Sequence, residues 1–364
     1  MSIPQNIDEI TPDWLAVALS SHLGAPIQIA SMEFERLGET DSMTGFVFRV
    51  RLHYATSAAG GPTSVVVKLP KAREHRSPGN RTQYESEVGF YRHLAPGIEA
   101  SIPAAYWSEI DAETGDYVLV LEDFPDLRPG SNAEGCTLDE ARVLLREMAV
   151  LHARWWAAPE LVDYPFLMSL ESSLDRWAKA LPERLPIFLD RHGAFVQSEE
   201  RSFLEALATH FSDSVAPLRN APRTLVHGDL AVKNTLRGGT PSDPTYVVID
   251  WQLAGIQSGV RDVSFFIEHS IAPAMRSRSE QEMLRFYHSQ LEARGVTGYS
   301  LAQLVEDYRR SVVMDMARFV TVGSAPRTTP EARAAADLNV RNAIKGRTGS
   351  VRELHLAEFL AAAR

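Results

Sequence analysis

Apolar positions are arranged differently in the first third of the chain and in the remainder. Early on, short runs rich in β-branched and aromatic residues are separated by turn residues, which is typical of strands. Later segments repeat apolar residues every three or four positions, which is typical of helices. Four strand-like runs cover 32–37, 45–54, 64–69 and 116–124. The pattern predicts an α+β protein with a strand-rich amino-terminal part, 1–124, and a mainly helical part, 125–364.

Helix starts are marked by local sequence. Thr11 precedes an apolar segment with an early proline, and Thr137-Leu-Asp-Glu140 has the form of a capping box. Ser279-Glu-Gln-Glu282 has the same form and predicts a helix that stops at Gly295. His152 lies one place off the apolar stripe of the helix after Thr137, so we expect it to pack or to form hydrogen bonds rather than react.

The residues that carry chemistry lie in His227-Gly-Asp-Leu-Ala-Val-Lys-Asn234 and in the run that ends at Asp250. Asp229 and Asn234 are five positions apart, and Asp250 ends a β-branched run. Phosphoryl transfer from a nucleotide requires a carboxylate facing the acceptor hydroxyl, together with an amide and a second carboxylate that hold magnesium. The alternative is a β-hairpin whose turn happens to carry Asp and Asn, since Gly238-Gly239 marks a turn.

A lysine and a glutamate upstream fit the same chemistry. Lys68 ends the apolar run 64–67, where a kinase has the lysine that meets the nucleotide phosphates. Glu87 follows on a predicted helix, in step with the apolar face of Tyr84 and Tyr91, so we expect it to pair with Lys68. Glu85 is the rival partner, but it points to another side of the helix. Taken alone, Lys68 would be interpreted as a solvent-exposed lysine at a strand end.

Two further segments fit a nucleotide site. Gly38 and Gly45 bracket a loop between two predicted strands, and such a loop can approach phosphates closely, although an ordinary hairpin loop would look the same. The strand 116–124 then runs to a proline. We expect the backbone carbonyl near Glu122 and the amide near Phe124 to meet adenine, to within a residue or two.

These motifs resemble the kinase-like small-molecule phosphotransferases, which include aminoglycoside phosphotransferases, choline kinases and ecdysteroid-kinase-like proteins. Leu151-His-Ala-Arg-Trp-Trp156 and the Asp-Trp-Gln that begins at Asp250 favour the ecdysteroid-kinase-like branch. The resemblance implies a protein-kinase-like bilobal fold, with a small antiparallel sheet and one key helix in the first lobe and a larger helical second lobe. Protein kinases carry Gly where this chain has Gln252, so nothing about a flipping activation segment carries over.

The same resemblance implies roles for individual residues. Asp229 would be the catalytic base, Asn234 and Asp250 the magnesium ligands, and Lys68 the phosphate-binding lysine. Asp262 would be a structural residue that holds the catalytic loop by hydrogen bonds. The implied function is ATP-dependent transfer of a phosphoryl group to a hydroxyl of a small molecule, with GTP not excluded. The alternatives are a pseudokinase that binds nucleotide without transfer, and a binding module for a hydrophobic metabolite.

Composition narrows the range of partners. The net charge of −10 over 364 residues disfavours a nucleic-acid partner. Cys136 is the single cysteine, which excludes an internal disulfide framework and suits a reducing cytoplasm. No signal-peptide pattern or long apolar stretch is present, so we expect a cytoplasmic protein with no membrane partner.

The acceptor site is the least determined part. Asp315 falls near an apolar helical stripe, with Arg309, Arg310 and Arg318 close in sequence, so we expect it to be paired with an arginine. Glu268 is similarly placed. The tail after Pro326 either covers the acceptor site or mediates homodimer formation, and both alternatives stay open.

Overall fold

The computed structural model describes residues 2–38, 45–56, 60–76, 78–240, 243–327 and 329–362. Most of the loop expected to cover phosphates, 39–44, lies outside the described residues. The strands are β1 Ile29–Leu37, β2 Gly45–Tyr54, β3 Ser64–Pro70, β4 Ala105–Ile110, β5 Tyr117–Glu122, β6 Arg128–Pro129, β7 Met168–Ser169, β8 Thr224–Val226, β9 Thr235–Thr240, β10 Asp243–Val248 and β11 Gly255–Gln257. The α-helices are α1 Pro12–Leu23, α2 Pro78–Gly89, α3 Leu138–Arg154, α4 Leu170–His192, α5 Ser198–Val215, α6 Val260–Ser270, α7 Pro273–Glu292, α8 Leu301–Gly323, α9 Pro330–Glu353 and α10 Leu356–Ala362.

The chain forms two compact units. Unit 1 consists of Met1–Pro129, Tyr164–Leu167 and Thr235–Ala254, and unit 2 consists of Gly130–Asp163, Met168–Asn234 and Gly255–Arg364. The chain therefore first enters unit 2 a few residues after residue 124, where the sequence predicted a lobe boundary. It returns to unit 1 directly after Asn234, so Asp250, expected in the carboxyl-terminal part, lies in unit 1.

Unit 1 contains an antiparallel sheet of five strands in the order β1-β2-β3-β5-β4. Residues alternate between the two faces of a strand. Val65 and Val67 of the central strand β3 join Leu15 and Leu19 of α1 in an apolar core on one face. Lys68 lies in sequence between Val67 and Leu69, which also belongs to this core, and so points to the opposite face. That face receives α2, which continues through a π-helical turn, Phe90–Leu94.

A second, small antiparallel sheet in unit 1 has the order β10-β9-β6. Its strands β9 and β10 form a hairpin, but Gly238 and Gly239, which the sequence placed in the turn, lie within β9 and pair with Thr245 and Pro244. Gly239 has a φ of 78°, a left-handed conformation that suits glycine. The strand β10 ends two residues before Asp250, and the hairpin thereby delivers this aspartate to unit 1.

Unit 2 is mainly helical, with one short sheet in which β11 pairs with β7 and β8. The capping box predicted at Thr137 and Glu140 is present at the start of α3. The helix α7 differs from its prediction. It begins at Pro273, and Ser279 lies inside it, donating a hydrogen bond from Oγ to the Met275 carbonyl at 2.8 Å.

Buried polar contacts join the helices α6, α7 and α9. Arg276, in the unpredicted first turn of α7, is 1% exposed and pairs with Glu268 of α6 at 3.3 Å. Ser350 of α9 donates a hydrogen bond to Glu268 Oε2 at 2.7 Å. A buried arginine needs a charged partner, and this pairing keeps the early turn of α7 in place. The tail after Pro326 therefore docks on the helices of its own unit.

No helix within the described ranges is both long enough and apolar enough to cross a bilayer.

Candidate functional site

The predicted ion pair of unit 1 is present. Lys68 Nζ donates to Glu87 Oε1 at 2.5 Å, and the Glu87 side chain is completely buried. The rival, Glu85, instead forms a more exposed ion pair with Arg81 at 2.9 Å. The spacing argument works because α2 places its apolar face on the sheet, and Glu87 lies on that face whereas Glu85 does not.

A second carboxylate lies near the same ammonium. Asp250 Oδ1 is 3.5 Å from Lys68 Nζ, and the Asp250 side chain is 39% exposed. Burial alone would lower the pKa of Lys68, but the charges of Glu87 and Asp250 outweigh this effect and raise it. Lys68 is therefore a fixed positive charge beside one buried and one accessible carboxylate.

The segment that carries Asp250 is anchored to α2 and its extension. The Trp251 ring is fully buried and stacks on Phe90, and the Ser86 hydroxyl donates to the Ala254 carbonyl at 3.3 Å. Asp250 itself has a φ of 70°, an uncommon value for a residue with a side chain. Strained backbone of this kind persists where the surroundings hold it and often marks a functional position.

In unit 2, the loop after β8 is shaped by Asp262. The carboxylate of Asp262 accepts the backbone N–H of His227 at 2.7 Å and that of Gly228 at 2.8 Å. Gly228 has a φ of 82°, which only glycine adopts without strain. Burial alone would raise the pKa of Asp262, but the donors around it outweigh burial and lower it. The structural role that the resemblance implied for Asp262 is confirmed by these hydrogen bonds.

His152 contacts the Asp262 carboxylate. Its Nε2 lies 3.3 Å from Asp262 Oδ2, and its Nδ1 lies 2.7 Å from the Tyr287 hydroxyl. A Cβ atom on Gly259 would lie 2.6 Å from that hydroxyl and 2.9 Å from His152 Nδ1, so a larger residue would displace these side chains. His152 is 0% exposed and forms hydrogen bonds, as the sequence predicted.

The Asp229 carboxylate of this loop accepts hydrogen bonds from three side chains. Asn234 Nδ2 donates to its carbonyl at 2.8 Å and to its Oδ2 at 3.0 Å. Lys233 Nζ lies 2.9 Å from Oδ2, and Arg318 Nη2 lies 2.8 Å from Oδ1. Burial alone would raise the pKa of Asp229, but the charges of Arg318 and Lys233 outweigh it and hold the pKa below its usual range. Asp229 is therefore ionised at neutral pH.

Lys233 and Arg318 were not predicted as site residues. Lys233 lies within the motif His227–Asn234, and its positive charge between Asp229 and Asn234 was the signal that could have identified it. Arg318 was considered only as a partner for Asp315. Asp315 does pair with an arginine, but with Arg261 of α6 at 2.5 Å. The prediction that Asp315 pairs with an arginine is therefore confirmed. The predicted partners, which lie close to Asp315 in sequence, were wrong because the arginine comes from another helix.

Each predicted magnesium ligand presents an oxygen suited to that ion. The Asp250 carboxylate is accessible, and the Asn234 amide nitrogen is used by Asp229, while no hydrogen bond from the described part of the chain reaches the Asn234 amide oxygen. Magnesium prefers carboxylate and amide oxygens. Asp250 of unit 1 and Asn234 of unit 2, each taken by itself, therefore carry an oxygen that suits magnesium, and Lys68 of unit 1 carries a positive charge that suits phosphate.

The predicted adenine segment has a defined backbone. Glu122 ends β5, and its backbone N–H donates to the Ala104 carbonyl at 2.8 Å. The Asp123 carboxylate accepts from Arg49 Nε at 2.7 Å and from the Ser64 hydroxyl. The Phe124 carbonyl accepts from Leu127 at 3.0 Å. Binding of adenine by Glu122 and Phe124 stays a prediction.

Among the solved structures that share this fold are several named as small-molecule kinases or phosphotransferases. A microcompartment-associated aminopropanol kinase is 17% identical, with a TM-score of 0.55 over 94% of this chain and 97% of that one. The GDP complex of aminoglycoside 2'-phosphotransferase-IIIa is 15% identical, with a TM-score of 0.54 over 97% and 99%. A choline/ethanolamine kinase family protein from Mesorhizobium loti is 15% identical, with a TM-score of 0.52 over 97% and 98%.

At these identities the similarity establishes the fold, and it confirms the kinase-like α+β fold predicted from the sequence. A search among curated proteins found no match. The sequence pattern of the ecdysteroid kinase-like family matches residues 39–295, which is more than half of the chain. The chain belongs to the ecdysteroid kinase-like family.

Proposed function

We propose that this protein transfers the γ-phosphoryl group of ATP to a hydroxyl group of a small molecule. Membership of a kinase-like family supports a phosphotransferase. The observation that carries the proposal is the setting of Asp229. This buried carboxylate is fixed by Asn234 and by two cations, on a loop whose backbone Asp262 holds from behind.

Asp229 would orient the acceptor hydroxyl and take its proton as the new oxygen–phosphorus bond forms. Its lowered pKa makes it a weak base before the reaction. A weak base is sufficient because the transition state of phosphoryl transfer is loose and positioning contributes most of the rate. Asn234 would keep the carboxylate in place through its amide nitrogen.

Lys68 would meet the phosphates of the nucleotide, and Glu87 would keep the ammonium in position. Asp250 and Asn234 would each offer an oxygen to magnesium. ATP would supply the phosphoryl group, leaving ADP as its bond to that group breaks. Glu122 and Phe124 would bind adenine through their backbone groups.

A small hydroxylated acceptor is supported by what the similar structures are named for. One is an aminopropanol kinase, one an aminoglycoside phosphotransferase in complex with GDP, and one a choline/ethanolamine kinase family protein. These names describe those proteins, and for this chain they support an alcohol acceptor. The GDP complex also makes GTP a donor worth including in assays beside ATP.

The first test is thermal stability with ADP, ATP or GTP, each with and without Mg²⁺. A ligand at about 100 times its dissociation constant stabilises a folded protein by roughly 2.7 kcal/mol. In a protein of this size that corresponds to a rise in melting temperature of a few degrees. We expect the rise only when nucleotide and Mg²⁺ are both present. The protein with Mg²⁺ and ATP or GTP is then screened with alcohols for release of ADP or GDP.

The two readouts separate the alternatives. A magnesium-dependent rise together with acceptor-dependent ADP release supports the phosphotransferase. A rise without ADP release for any alcohol supports the pseudokinase, and no rise with any nucleotide supports a binding module of another kind.

A further inference from the structure

The two oxygens of the Asp229 carboxylate are not equally occupied. Oδ2 accepts from both Lys233 Nζ and Asn234 Nδ2, at 2.9 and 3.0 Å. Oδ1 accepts from Arg318 Nη2 alone among the described residues, at 2.8 Å. Each carboxylate oxygen has about two acceptor sites. A hydroxyl that donates to Asp229 therefore has its open site on Oδ1, beside the Arg318 guanidinium.

Arg318 is held firmly at this position. Its guanidinium lies over the Phe265 ring, 4.6 Å from the centroid, and that ring is 2% exposed. On the same ring, Arg261 lies 5.2 Å from the centroid and His269 stacks at 3.9 Å. Packing on a buried ring limits how far a guanidinium can move. An acceptor bound at Oδ1 must therefore tolerate Arg318 as a neighbour.

The charges around this position favour an anion. Arg261 is already paired with Asp315, whereas Asp229 is the one carboxylate within ion-pair distance of Arg318 in the described part of the chain. Asp229 is also shared with Lys233, so two positive side chains face one negative side chain. The Arg318 side chain is 23% exposed and that of Lys233 48%, which leaves both accessible to a ligand.

Carboxylates on the neighbouring helices do not reverse this balance. Glu268 of α6 is paired with Arg276, and Asp315 of α8 is paired with Arg261. Asp262 is 0% exposed and directed at the backbone of the catalytic loop. An ammonium placed next to the reacting hydroxyl would meet the guanidinium without a compensating carboxylate from these residues, and like charges at close range repel.

We infer that Arg318 makes the acceptor site selective for hydroxylated compounds with an anionic oxygen group, such as a carboxylate, near the reacting hydroxyl. The inference rests on the proposed phosphotransferase activity and names the substrate class for that site. A guanidinium pairs with a carboxylate through two parallel hydrogen bonds, which adds geometric selectivity to the charge. Amino alcohols of the same shape are the disfavoured class.

The test compares ω-hydroxy acids with ω-amino alcohols of equal chain length. ADP release gives kcat/KM for each pair with the full-length protein, ATP and Mg²⁺. We expect the acids to be preferred by roughly tenfold, the scale of close charge pairs in recognition. Arg318→Met keeps the apolar stem over Phe265 and removes the charge, and it should bring the ratio to about one. Arg318→Lys should restore the preference for acids.

The matched control is Arg310→Met on the same helix. Arg310 pairs with Glu306 at 3.1 Å, and we expect this variant to keep the wild-type ratio. Amino alcohols used as well as acids by the wild type would overturn the inference. So would an Arg318→Met variant that loses the same factor for both classes, since Arg318 would then only position Asp229.

A binding measurement covers the case in which none of these compounds turns over. Each compound is added to the protein saturated with ADP and Mg²⁺, and the change in melting temperature is recorded. A larger rise with the acids, abolished by Arg318→Met, supports the inference. No response to any acid overturns it. The proposed function is judged separately: if the protein binds nucleotide and releases ADP with alcohols outside these two classes, it stands whichever of these results is obtained.

Discussion

The indole of Trp251 stacks on the ring of Phe90, with centroids 3.9 Å apart and an angle of 6° between the planes. Trp251 follows Asp250 directly, and Phe90 follows the helix that carries Glu87. The stack therefore fixes the strand-end carboxylate relative to the helix that orients Lys68. This contact is one of the links, beside the Ser86 hydrogen bond to Ala254, between the segment of Asp250 and the helix of Glu87.

Replacing Trp251 should loosen the position of Asp250. We expect Trp251→Leu to lower the free energy of unfolding by about 3 kcal/mol, because a fully buried indole is lost. Trp251→Phe keeps an aromatic partner for Phe90, so we expect it to be more stable than Trp251→Leu. In both variants the magnesium-dependent gain in nucleotide affinity should shrink, measured by titration calorimetry with and without Mg²⁺. An unchanged dependence on Mg²⁺ in folded variants would show that the stack does not position Asp250.

Neutralising Glu87 should weaken nucleotide binding. Glu87→Gln leaves the Lys68 ammonium without its buried partner, and breaking such a pair costs about 3 kcal/mol of stability. We expect nucleotide affinity to fall about tenfold, because the lysine is no longer held toward the phosphates. The control is Glu85→Gln, two positions away on the same helix, whose ion pair with Arg81 is more exposed. Equal losses in the two variants would contradict the role of Glu87.

The stabilising effect of Asp262 should depend on pH in a defined direction. Its pKa is lowered in the folded protein, so the folded state favours the ionised form. Its contribution is fully present above the ordinary aspartate pKa of about 3.9 and is lost as the pH falls toward the lowered folded value. Asp262→Asn should cost about 3 kcal/mol at neutral pH.

Denaturant unfolding of wild type and Asp262→Asn at several pH values measures this directly. The difference between the two should narrow once the pH falls below about 4. Asp139→Asn, at a side chain that is 76% exposed, serves as the control and should show little difference at any pH. A gap between wild type and Asp262→Asn that stays constant into strong acid would rule out an ionised Asp262 as its source.

Local patterns were sufficient to predict the part of the site that lies on regular elements. Lys68 and Glu87 follow from one strand and one helix, because alternation in the strand and the apolar face of the helix each fix a direction. The capping box at Thr137 is equally local. The start of α7 was wrong by two turns, because its first turns depend on the buried pair between Arg276 and Glu268 rather than on a capping sequence.

Contacts between distant helices were not predictable in this way. Arg318 reaches Asp229 from a helix 89 residues later in the chain, and Asp315 finds its partner in Arg261 rather than in the arginines close to it in sequence. Helical spacing indicates which residues face inward but not which helix they meet. The acceptor side of the site is therefore the part that required the structure.

We propose that Asp229 serves the transfer step, and the most direct test separates that step from nucleotide binding. Wild type and Asp229→Asn are compared with the alcohol that gives the strongest ADP release, and the phosphorylated product is quantified. In parallel, the affinity for ADP with Mg²⁺ is measured for both proteins. We predict that Asp229→Asn slows product formation by roughly a thousandfold and changes ADP affinity little. Product formation at the wild-type rate in Asp229→Asn would contradict a role of Asp229 in the transfer step.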